Sequence, residues 1–312
     1  MVDNSEVIEE LTELADAGDA DRLLETGSRR LLAIFDTFTL RICERVVFRG
    51  VSKDLVLRCI ARKNQEALEG ILSLVSAGHA YVAMAVLRPM CEELIFARYI
   101  RSLPADSADK YLLNKALLEL FQGLQAQAGF FPEIRRELGI ETDGGTSQEG
   151  ARREDLRLGV LSHKEKLKEL GGKLGWGNKP CPDIKYMARI TRSLQEYEFF
   201  YHAASGAVHA SMHHLMRMVW GDPARGEFSI TSRNFESFHR KFVLIYGSWL
   251  CSQVMDEVRH EFPREWPKER EAEYGLWLAA MVVPALRQSF PPIVTSQELR
   301  WKDSPHAPIV QP

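Results

Sequence analysis

HAYVAMAVLRPMCEELIFARYI, residues 79–100, decides the fold class. Its apolar residues recur at helical spacing and show no strand alternation. At about 100° per residue, Arg88 and Glu92 fall one turn apart on the stripe that also carries Tyr81, Met84, Ala85, Ile95 and Tyr99. That stripe is otherwise apolar, so both charges are expected to face the core. An unpaired charge there is too costly to keep, so each needs a partner. Pro89 removes a backbone hydrogen bond in the same turn and predicts a local kink.

Further along, EYEFFYHAASGAVHASMHHLMRMVW (residues 196–220) reads as the end of a long helix from about 183 to 220. On one wheel His202, His209 and His213 lie within about 40° of one another, with Tyr201 and Ser205 on the adjacent flank. The small residues Ala203 to Ala207 would let a neighbouring helix come close, bringing its polar groups to Ser205 and His209. A buried polar cluster of Arg88, Glu92, Tyr201, Ser205 and His209 is the result.

The remaining segments repeat the helical pattern. Helices are expected at about 5–16, 20–48, 53–76 (with Ser52 as N-cap), 79–102, 106–129, 151–170 and 268–288. Another, capped by Ser232, runs to about 261. IETDGGTSQEG (140–150) reads as a linker, GGKLGWGNKPCPD as a loop, and GEFSIT as the one strand candidate. The fold class is therefore all-α: an up-and-down helical bundle with additional helices and one loop-rich excursion. A single domain is expected over 1–290, the excursion lying at about 140–182, with a Pro-rich tail at 291–312.

Composition narrows the function classes. The chain has 312 residues, 45% hydrophobic and 27% charged, enough for a sizeable core without disulfides. A net charge of -3 gives no general attraction to nucleic acid or anionic membranes. The cysteines (Cys43, Cys59, Cys91, Cys181, Cys251) are odd in number and form no C-x-x-C pair. Cys59, Cys91 and Cys251 lie in apolar helical patterns, where a thiol acts as a small hydrophobe. The acidic N-terminus lacks the features of a signal peptide, and the apolar run 276–286 is too short to span a bilayer. The expectation is a soluble cytoplasmic protein without a membrane partner.

The pairing of L-R-P-x-x-E-E with Y-x-x-x-S-x-x-x-H, carried by Leu87, Arg88, Glu92, Tyr201, Ser205 and His209, resembles a bacterial all-helical family of unknown function. The resemblance covers about 50–260. It implies a helical fold and singles out these positions without a reaction. Separately, Arg233, Asn234 and His239 read R-N-x-x-x-x-H, which is similar to the signature of the HEPN superfamily, helical proteins that include many toxin and phage-defence ribonucleases. That likeness implies motifs paired across a homodimer, Arg233 stabilising phosphate charge and His239 moving protons during RNA cleavage. Nucleic acid is a partner only under this alternative. The plainer reading makes Ser232 an N-cap and Arg233, Glu236 and His239 a solvated helix face.

Four readings of the Arg88 cluster stay open. It can be a satisfied network holding two helices in register. It can be catalytic, with His209 as acid or base, Arg88 on a phosphate or carboxylate, and Glu92 orienting. It can hold a metal through His209 and His213 with Glu92 or Glu93 opposite, although the E-x-x-H elements of di-iron bundles are missing and no cofactor is predicted. Or it can bind a small ligand or a protein partner in a regulatory role. GGKLGWG lacks the Lys-Ser or Lys-Thr of a phosphate loop, and Trp176, Lys179 and Tyr186 could line a groove without fixing a ligand.

Overall fold

Residues 80–102 do form a helix, and it passes through Pro89 without interruption. The structure, a computed structural model, describes residues 4–44, 50–139, 147–209, 211–222, 227–288, 291–295 and 298. Among them the elements are α1 (Asn4–Asp16), α2 (Ala20–Cys43), α3 (Lys53–Ser76), α4 (Ala80–Ser102), α5 (Ala105–Glu137), α6 (Ser147–Leu174), α7 (Ile184–Ile190), α8 (Leu194–Val208), α9 (Met212–Met218), β1 (Val219–Asp222), β2 (Glu227–Ile230), α10 (Glu236–Arg259) and α11 (Glu271–Gln288). The chain is all-α apart from one two-stranded hairpin, in which Val219 pairs with Ile230 and Asp222 with Glu227.

Backbone contacts divide the chain into two compact units. The first comprises 1–46, 57–98 and 191–312. Its core is aliphatic and aromatic: Leu31, Phe35 and Phe38 of α2, Leu68 and Ile71 of α3, Leu87 of α4, Phe242 and Val254 of α10, and Trp277 of α11 are fully buried. Glycines set the closest approaches. A Cβ on Gly27 would meet the Met281 side chain at 2.8 Å, and one on Gly247 would meet the Ile71 side chain at 2.8 Å, so those side chains rest directly on the bare backbone of α2 and α10. Ser248 donates to Ser28 at 2.9 Å, pairing two buried hydroxyls between α10 and α2.

The second unit comprises 47–56 and 99–190. Here α5 and α6 pack together, and Tyr99, Tyr111 and Trp176 form an aromatic group, with Tyr111 and Trp176 centroids 5.4 Å apart. The Trp176 indole donates to the Lys179 carbonyl at 3.0 Å, so the glycine-rich loop is folded around a buried ring. The expected groove of Trp176, Lys179 and Tyr186 is thus partly filled by Trp176 itself. Ser52 caps α3 as expected, accepting from Leu55 N, and Asp109 accepts from Lys53 N at 2.7 Å.

Several boundaries differ from the sequence reading. The expected helix over 183–220 is three helices and a strand. It breaks at Arg192, which takes a left-handed φ of 58°, and again at His209, whose backbone is extended. The second break has a visible cause. The His214 ring lies against Gly206, and residues eight apart in a straight helix would be about 12 Å apart along the axis. Folding α9 back on α8 buries that ring. Thr231, not Ser232, caps the turn before α10, accepting from Arg233 N at 3.2 Å. GEFSIT contributes β2, and its partner β1 was not foreseen. Helix α5 runs on past 129, and α6 begins at Ser147 inside the expected linker, whose residues 140–146 lie outside the described residues. So does most of the 291–312 tail. Cys91 and Cys251 are buried, but Cys59 is exposed on the outer face of α3.

Candidate functional site

Helix α4 is fixed at both ends of its first-unit stretch. Its first turn offers Ala80 N to the Glu236 carboxylate of α10 at 3.2 Å. Farther on, Arg98 donates to Glu257 (3.0 Å), Gln253 (3.1 Å), Ser193 (2.8 Å) and Glu196 (3.4 Å). One guanidinium therefore ties α4 to α10 and to the start of α8.

Between these anchors lies the foreseen cluster. Arg88 Nε donates to Glu92 at 2.9 Å, one turn along α4. Its Nη1 lies 3.3 Å from Ser205 Oγ and 3.2 Å from His209 Nε2, and the guanidinium sits 4.9 Å above the Tyr201 ring. With Nε2 accepting from arginine, the His209 proton belongs on Nδ1. All five residues are brought together, and the small face of α8 makes this possible, since Ala203 and Ala204 are fully buried.

The cluster is not sealed, however. Arg88 keeps a quarter of its side chain exposed, Glu92 36% and Tyr201 40%. His209 is exposed, because α8 ends at Val208 and the chain turns outward there. The expectation of a buried cluster is corrected accordingly. Below it Cys91 is buried, and desolvation pushes its thiol up to about 12, so it is inert at neutral pH. Arg88, Cys91, Glu92, Tyr197, Phe200 and Tyr201 line a surface dent too shallow to hold a water molecule.

His202 is exposed and touches only the neighbouring Tyr201 ring among the described contacts. His213 does not join His209. It sits on α9 with Nε2 2.7 Å from Glu298, while Glu93 is held by Lys63 and Asn64. Among the described residues no group of three or more His, Cys, Asp or Glu is placed to hold a metal ion. The break after α8 separates the two histidines that the metal reading needs.

The R-N-x-x-x-x-H residues also part company. Arg233 is exposed. Asn234 closes the hairpin, donating to Met218 O at 2.9 Å and accepting from Ser229 Oγ at 2.7 Å. His239 is 1% exposed among Tyr81, Phe235 and Phe238, so it is no part of a solvated face. Desolvation, with help from the Arg217 charge, pushes its pKa down to about 3.

Sequence reading missed a second cluster beside His239. Arg217 of α9 is 2% exposed and grips Glu298, with His214 next to it at the same burial. The spacing of His213 and Arg217, one turn apart on α9, was the available signal. Glu298 sits in a Pro-rich segment with no periodicity and could not have been placed.

Fold and site define an all-helical protein with an arginine-centred polar face. The chain belongs to DUF5677, a family of unknown function, which it matches over residues 54–227. That span includes Arg88, Glu92, Tyr201, Ser205 and His209. No curated protein and no solved structure matches the chain. No helix among the described residues is long and apolar enough to cross a membrane.

Proposed function

We propose that this is a binding and regulatory protein that reads an anionic group, a carboxylate or a phosphate, through Arg88. The observation that carries the reading is the half-open state of the guanidinium. Glu92 orients it through Nε, Ser205 and His209 hold Nη1, and the Tyr201 ring backs it, while Nη2 has no hydrogen-bond partner among the described residues. A fully buried charge needs complete pairing, whereas a partly exposed one can keep a donor free for an outside group. This one leaves a pre-oriented donor at the surface, flanked by an exposed histidine and tyrosine.

The dent beside it encloses no space for a ligand, unlike the roughly 300–1,000 Å³ of ordinary small-molecule pockets. An anion would therefore meet Arg88 at the open surface, as a single charged group presented by a larger partner, such as an acidic side chain of another protein. The ribonuclease alternative at Arg233, Asn234 and His239 has less support. His239 is buried and neutral, and Asn234 is engaged by backbone.

Calorimetric titration with N-acetyl-glutamate and with inorganic phosphate tests the proposal. At least one should bind the intact protein and lose about tenfold or more in affinity with Arg88→Gln, as expected for a lost charged hydrogen bond. Equal affinity in both proteins, or no heat from either probe, would overturn it.

A further inference from the structure

The second cluster has the chemistry of an occupied anion site. Arg217 Nε and Nη2 donate to the two Glu298 carboxylate oxygens at 2.6 and 2.8 Å, and His213 Nε2 lies 2.7 Å from Oε1. Thr295 N donates to Oε2 at 2.7 Å, and Arg217 Nη2 also reaches the Ile293 carbonyl at 2.6 Å. The Phe238 and Phe235 rings stand 4.9 and 5.7 Å from the guanidinium carbon. Burial alone would raise the Glu298 pKa, but the hydrogen bonds from Arg217 and Thr295 outweigh it and hold the group at about 2. It is a carboxylate at every ordinary pH.

One observation sets this apart from a plain structural ion pair. His214 and His239 are 2% and 1% exposed, and neither has a hydrogen-bond partner on either ring nitrogen among the described residues. Each neutral imidazole carries one N–H, and leaving such a buried donor unmet is unfavourable. Both rings pack on Tyr81, at centroid distances of 5.9 and 5.3 Å. The glutamate satisfies the arginine but leaves these donors unused.

We propose that the Arg217–His213 site binds an external carboxylate carrying an aromatic or apolar group, and that Glu298 is the internal occupant this ligand displaces. The forked guanidinium gives the two-point contact a carboxylate needs, and Phe235, Phe238 and Tyr81 supply an aromatic surround. An occupant on the same chain lowers the apparent affinity for any outside ligand by the fraction of molecules in which the site is open. The site is separate from the Arg88 face and does not depend on the function proposed for it.

The test uses full-length proteins that all carry Arg88→Gln, so that the open face contributes nothing. Benzoate is titrated into this protein, into its Glu298→Ala derivative, and into a Glu298→Ala/Arg217→Gln derivative, with inorganic phosphate in parallel. Benzoate should bind the Glu298→Ala protein about tenfold or more tightly than the protein with Glu298, and lose that binding when Arg217 is also replaced. Equal binding with and without Glu298 would refute displacement. Binding that survives Arg217→Gln, or phosphate bound in place of benzoate, would refute the carboxylate site. Should Glu298→Ala fail to fold, the imidazole resonances of His213 decide the matter in the intact protein. They should shift with benzoate to saturation, and an unchanged spectrum would count against the proposal.

Discussion

Gly206 in the last turn of α8 and His209 just past its end have opposite consequences for stability. His209 touches Arg88 from an exposed position at the end of the helix, and surface contacts of this kind contribute little. His209→Ala should therefore leave the unfolding free energy within about 0.5 kcal/mol of the parent, as a urea titration would show. Gly206 is the reverse case. A Cβ there would lie 2.0 Å from Cδ2 and 2.4 Å from Nε2 of the His214 ring, which is itself buried and unable to swing into solvent. Gly206→Ala should cost about 2 kcal/mol, in the range of overpacked cores. The cost should shrink markedly in a His214→Ala background, and independent effects in that double-mutant cycle would sink the explanation. The sequence alone showed the small face of α8 and the company Arg88 keeps, because helical phase is local. It did not show what fills the notch at Gly206, because His214 reaches it only after the chain reverses.

At the scale of elements, α4 is the helix on which the Arg88 face is built, and Arg98 is what holds it. Its three nitrogens reach four side chains, two on α10, one on α8 and Ser193 just before α8. With under a fifth of the Arg98 side chain exposed, the ion pairs are shielded but not fully desolvated. Arg98→Ala should cost about 2–3 kcal/mol, less than the roughly 3–5 kcal/mol of a fully buried pair that loses one partner. Arg98→Lys should recover less than half of that, since one ammonium cannot span the geometry of a guanidinium. A lysine variant with parental stability would show that charge alone is enough. Element type was legible almost everywhere in this chain, because amphipathic periods are long and strand alternation is scarce. The misplaced boundaries are those where tertiary contacts override local preference. Arg192 adopts a left-handed turn with no glycine to announce it, and the hairpin Val219–Ile230 follows an uninterrupted helical pattern.

Across the molecule, the buried histidines couple folding to pH. His214 and His239 face each other's surroundings within one cluster: Tyr81 from α4, His213 and Arg217 from α9, Phe235 and Phe238 at the start of α10, and Glu298 from the C-terminal segment. Desolvation, followed by the Arg217 charge, lowers His214 to about 4 and His239 to about 3, while Glu298 pulls weakly the other way. In the unfolded chain both would titrate near the ordinary histidine value of about 6.5. Below that pH the unfolded state takes up protons that the folded state refuses, so stability is full above about 6.5 and falls as the pH drops toward 4 and 3. The limiting slope is about 1.4 kcal/mol per pH unit for each histidine, an upper bound that partial opening of the cluster would reduce. Glu298 acts in the same direction but lower down. Its contribution is intact above about 4.5 and is lost between there and about 2, so measurements from pH 5 to 7 leave Glu298 out. Urea midpoints should fall steadily across that interval in the parent protein. His239→Phe, which keeps an aromatic ring against Tyr81 and Phe238, should reduce the slope even if it changes the midpoint at pH 7. An equal slope in parent and variant would mean that His239 is protonated as readily in the folded state as in the unfolded one, and the buried cluster would then have to be more open than its 1% exposure implies.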